Sequence, residues 1–139
     1  MKMKCVLLFI FSFCTLCMAG CGNSTEAELK KIVQRNLNAM QEEDLETALM
    51  DIDDGPAKET NREALKAIFD QYDISYKLVS FKVLSVSDDT AEVEVVQETK
   101  KIRGPAFRNN VGTVVHTFKK RPSGWKFVSS EIKSAKFLD

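Results

Sequence analysis

The chain has 139 residues, the size of a single domain. Its 20 Lys+Arg balance 20 Asp+Glu, which excludes a strongly basic nucleic-acid binder and an acidic tail protein. With 44% hydrophobic and 29% charged residues it reads as an ordinary globular chain, not a disordered one. The four cysteines, Cys5, Cys14, Cys17 and Cys21, all lie in the first 21 residues, so the folded part has no disulfide framework and no cysteine chemistry. His116 is the only histidine, which excludes a multi-histidine metal site.

Lys2 and Lys4 open the chain with positive charge, and an apolar run follows from Cys5 to Cys17. Such a run is too short for a bilayer span, which needs about 20 residues, but suits the apolar region of a secretory signal. It ends in Met18-Ala19-Gly20-Cys21. That stretch resembles the lipobox of bacterial lipoproteins, although Met18 stands where Leu is usual. The resemblance implies a lipid on the Cys21 thiol and cleavage after Gly20. The plainer alternative is an ordinary secretory signal cut near Gly20. The expected organisation is therefore a signal peptide over 1–20, a lipidated N-terminus and short linker over 21–24, and one domain over 25–139. A linker of three extended residues gives about 10 Å of reach, which would hold the domain close to the membrane.

Thr25-Glu26-Ala27-Glu28 has the form of a capping box. Leu29, Ile32, Val33, Leu37 and Met40 follow at helical spacing and predict a helix over 25–42. Asp44 reads as the cap of a short second helix carrying Leu45, Ala48 and Leu49. The breaker segment Asp51 to Pro56 precedes a second capping box, Thr60 to Glu63, and a third helix with Leu65, Ile68, Phe69 and Tyr72 on its apolar stripe.

From Ile74 the period changes from helical to alternating. Strands are predicted over 74–86, from Ala91 to the Gly104-Pro105 connection, over 111–119 and from Trp125 to about Phe137, with turns at Ser87-Asp88-Asp89 and Pro122-Ser123-Gly124. Consecutive hairpins imply an antiparallel sheet with its helices on one face, an α+β architecture. Charge divides along the same line, with net −7 over residues 26–73 and net +5 over 74–139.

Three stretches resemble the nuclear transport factor 2-like superfamily. Asn38 to Leu49 is similar to its first helix, acidic break and second helix; Ser87 to Val93 to its hairpin; and Val114 to Phe127, with Gly124-Trp125-Lys126, to its final hairpin. The resemblance implies helices wrapped by a strongly curved antiparallel sheet, a cystatin-like cone with a pocket. It is nearest to small lipid-anchored members of bacterial envelopes. It implies no single activity, because the superfamily includes isomerases, dehydratases and non-catalytic binding modules.

His116 shares its strand face with Val114 and Phe118 and is expected to point at the concave side. An imidazole there can serve as a general acid or base. Tyr72, Tyr76 and Asp51 are candidate partners in a pocket around it. Trp125 is expected to pack at the sheet end with its indole hydrogen-bonded. No catalytic pair can be aligned residue by residue, and no cofactor motif or metal-ligand spacing is found. The expectation is thus a membrane-anchored envelope lipoprotein with a non-catalytic ligand-binding or protein-interaction domain. Its partners would be the membrane through the lipid, a small apolar ligand or an envelope protein, and a second copy in a homodimer; nucleic acid is not expected. The rival is a small-molecule acid–base enzyme, of isomerase or dehydratase type, that uses His116.

Overall fold

The apolar stripe of the first helix and the alternating strands that follow meet face to face. The computed structural model describes residues 21–138, so the segment 1–20, expected as a signal peptide, lies outside the described residues, as does the Cys21 side chain. Three helices precede four strands: α1 (Cys21–Gln41), α2 (Leu45–Met50), α3 (Pro56–Gln71), β1 (Asp73–Val86), β2 (Thr90–Arg103), β3 (Asn110–Arg121) and β4 (Gly124–Phe137). The strands form one antiparallel sheet in the order β1-β2-β3-β4. The expected α+β class and all four strands are present, because each turn carries the residues its geometry needs.

Two helix starts differ from expectation. Residues 21–24, expected as a linker, are already helical, so Thr25 lies inside α1 rather than at its start. α3 begins at Pro56, with Gly55 before it in a positive-φ conformation. Proline suits a first helical position, where its missing N–H has no partner to lose. Thr60 is therefore one turn inside α3, and its hydroxyl donates back to the Pro56 carbonyl at 3.2 Å. Asp44 does cap α2, its carboxylate accepting from the Thr47 N–H at 3.1 Å.

The main core lies between α1 and the proximal part of the sheet. Leu29, Val33 and Leu37 of α1 pack with Val93 and Val95 of β2, Phe118 of β3, and Trp125 and Phe127 of β4, all buried. The Phe118 and Phe127 rings are 4.4 Å apart. A smaller cluster of Ala39, Ala48, Leu49 and Leu65 joins the three helices. Register shifts in β1 near Val79 and Leu84, and in β4 near Val128 and Lys133, bend the sheet around α1. The helices cover only part of this face. Beyond Val128 the side chains of β4 are exposed, and Leu65 is the one buried side chain of α3 among the described residues.

Candidate functional site

The segment between α2 and α3 is clasped to β4. Backbone N–H groups of Phe127 and Asp53 donate to the carbonyls of Asp51 and Phe127 at 2.8 and 2.9 Å, a one-residue parallel bridge at Ile52. Arg121 adds a two-pronged ion pair to Asp53, at 3.0 Å from Nε and 2.6 Å from Nη2. The guanidinium holds the Asp53 carboxyl below the usual carboxylate range. This strap forms one wall of a cleft whose other walls are α1, α3 and the concave face of β3 and β4.

The cleft encloses about 710 Å³, within the range of small-molecule sites. Its apolar lining comes from Leu37, Met40, Ile52, Leu65 and Phe127, and its polar lining from Asn36, Asn61, Gln97, His116 and Ser130. A second depression of about 590 Å³ runs along the outer side of α1, past Lys30, Gln34 and Asn38. It is the flatter of the two and lies away from the concave sheet face.

His116 is the centre of the cleft's chemistry. It stands on β3 opposite Val93 and Ser130, edge-on to the Phe127 ring with centroids 5.0 Å apart. Its Nδ1 shares a 2.7 Å hydrogen bond with the Ser130 hydroxyl. Burial against these apolar neighbours pushes the imidazole down to about 4, so it is neutral at pH 7. With Nδ1 engaged by Ser130, Nε2 is the remaining polar atom of the ring. It is a donor if the hydroxyl donates to Nδ1 and an acceptor if Nδ1 donates to the hydroxyl.

The other three candidate pocket residues lie outside the cleft lining. Asp51 is buried in a two-pronged pair with Arg35 of α1, at 2.8 and 2.7 Å, and joins α1 to the end of α2. Tyr72 packs edge-on against Phe107 at the opposite end of the sheet, with centroids 6.1 Å apart. Tyr76 packs against the main core, where burial pushes its phenol up. The structure thus places His116 in the cleft without bringing Asp51, Tyr72 or Tyr76 to it. Ser130 was missed by sequence reasoning because its approach depends on a bulge in β4. Asn61 was missed because α3 starts earlier than its capping box suggests. Trp125 is buried as expected, but among the described residues its indole N–H has no hydrogen-bond partner.

Among the described residues no group of three or more His, Cys, Asp or Glu side chains is placed to hold a metal ion, and no helix is long and apolar enough to cross a membrane.

Solved structures share this architecture. A nuclear transport factor 2-like superfamily protein from Salmonella enterica matches with a TM-score of 0.70 at 13% identity, over 84% of this chain and 95% of that one. A cystatin-like protein from Nostoc punctiforme matches at 0.62 and 16% identity, over 76% and 87%. A ketosteroid isomerase-like protein from Erwinia carotovora matches at 0.61 and 17% identity, over 84% and 98%. At these identities the likeness establishes the fold alone, the nuclear transport factor 2-like cone that the hairpins resembled.

In sequence, the chain is 29% identical over 109 residues to anti-sigma-I factor RsgI9 of Acetivibrio thermocellus, covering 78% of this chain and 15% of that protein's length. The family model for the C-terminal domain of anti-sigma-I factor RsgI9 matches residues 31–138, from the middle of α1 to the end of the sheet. The chain belongs to the RsgI9 C-terminal domain family, on a nuclear transport factor 2-like fold.

Proposed function

We propose that this protein is an envelope lipoprotein, anchored through Cys21, whose domain works by binding a ligand in the cleft around His116. The observation that carries the reading is the cleft itself: about 710 Å³, with an apolar lining and a few polar groups contributed by α1, α3 and the sheet. The family supports the same reading. The relative is named an anti-sigma factor, and the match is confined to its C-terminal domain, 15% of its length. A domain that makes up so small a share of a regulator suits receiving a signal.

Acid–base catalysis by His116 is the second reading, favoured by a neutral imidazole facing the cleft. It ranks below binding because an imidazole that titrates near 4 is a weak base, and the ring's hydrogen-bond partner is a hydroxyl rather than an orienting carboxylate.

Two experiments test the proposal. Cys21→Ser should move the protein from the membrane fraction to the soluble exported fraction; an unchanged membrane location would sink the anchor. Native mass spectrometry of the protein released gently from its source envelope should show a bound small molecule. An unliganded dimer or a complex with another envelope protein would instead make the domain a protein-interaction module.

A further inference from the structure

The charges around the cleft restrict what can enter it. Among the described residues that line it there is no lysine or arginine, so a bound anion would meet no positive partner. The lining carboxylates are those of Asp53 and Asp54 on the strap. Asp53 is taken by Arg121, and Asp54 by Lys58 at 2.9 Å, with the Asp54 side chain 96% exposed to water at the rim. A bound cation would have to displace a guanidinium or stay in solvent. The other elements around His116 present uncharged groups: Asn36 from α1, Asn61 from α3, Gln97 from β2 and Ser130 from β4. Asn36 already donates from its amide to the Ala48 carbonyl at 2.9 Å, and its side-chain oxygen is left as an acceptor.

We infer that the cleft selects an uncharged ligand, with an apolar body against Leu37, Met40, Ile52, Leu65 and Phe127 and a hydroxyl, carbonyl or amide group directed at the His116–Ser130 pair. This inference rests on the binding reading above and names the chemical class of what is bound. It also assigns a role to Ser130. By engaging Nδ1, its hydroxyl fixes the imidazole orientation and leaves Nε2 to meet the ligand.

A matched set of probes tests it: 2-naphthamide, 2-naphthoate and 2-naphthylmethylammonium share one apolar body and differ in charge. Binding to the full chain is followed by chemical-shift changes in the His116, Ser130 and Ile52 amides. The amide should bind at least about tenfold more tightly than either ion, since an ion would lose its hydration without gaining a partner. Its affinity should hold steady from pH 5.5 to 8. His116→Phe, which keeps a ring in place, should weaken the amide about tenfold. Ser130→Ala should weaken it less, and both variants should retain the wild-type amide spectrum away from the cleft. Tighter binding of the naphthoate than of the amide at pH 7–8, where it is ionised, would overturn the uncharged class and leave the binding reading standing. Tighter binding of the ammonium would do the same. If none of the three shifts the cleft amides, the cleft is not a small-molecule site, and the binding reading falls together with this inference.

Discussion

The proton balance of His116 couples the cleft to stability. Its imidazole titrates near 4 in the folded chain, against an ordinary value of 6.5. As the pH falls through this window the unfolded chain takes up the proton first, so stability is full above 6.5, declines between 6.5 and 4, and levels off below. The loss is on the order of 2–3 kcal/mol for a half-buried ring. Unfolding free energies from urea titrations at pH 7 and pH 4.5 should differ by this amount for the wild type and draw together for His116→Gln; equal separation in both would place the effect elsewhere. Trp125 makes a contrasting case. Among the described residues its buried indole N–H has no partner, so Trp125→Phe removes a desolvation penalty as well as apolar contact. The two effects oppose each other at about 1 kcal/mol each. The variant should unfold within about 1 kcal/mol of wild type, whereas a hydrogen-bonded indole would give a loss above about 2.

At the level of elements, the β2–β3 connection presses against the end of α3. A Cβ on Gly104 would lie 2.5 Å from the Gln71 carbonyl and 2.7 Å from the Tyr72 ring, at a φ of +125°. Gly104→Ala should therefore cost more than about 2 kcal/mol in thermal or urea unfolding. Gly55→Ala, where a Cβ meets nothing within 4 Å, should cost only the strain of its positive φ. These elements also show how much was legible beforehand. Strand limits could be read because Ser87-Asp88-Asp89 and Pro122-Ser123-Gly124 stop a strand by their own backbone preferences. The starts of α1 and α3 could not, because Thr25 and Thr60 satisfy a capping pattern that is equally compatible with a helix interior, whereas Asp44 marked the start of α2. The cleft was half legible. Alternation along β3 placed His116 on the concave face. Counting back from the Arg121–Gly124 hairpin without interruption pairs His116 with Ser129, and the extra residue Val128 is what brings Ser130 there instead. Bulges depend on how the sheet must bend around α1, which is a property of the assembled core.

For the molecule as a whole, the charge division seen in the sequence is only partly a bond between layers. Arg121 crosses from the sheet to Asp53, and Lys126 donates to the Met50 carbonyl at 2.7 Å. Arg35–Asp51 and Arg62–Glu46 stay within the helical layer, and Arg103–Asp73 within the sheet. The start of α1 at Cys21 has a consequence of a different kind. A globule hung from a lipid by a slack coil swivels freely and shows every side to its surroundings. Here the helix runs without a break from Cys21 to Leu29, the first side chain sunk in the core, about 12 Å farther along. Gly124 lies beside Glu28, so the tip of the β3–β4 hairpin stands at the same end as Cys21. Were the proposed lipid on that cysteine, the helix would act as a rod rather than a string and hold the His116 cleft at a set distance from its attachment point.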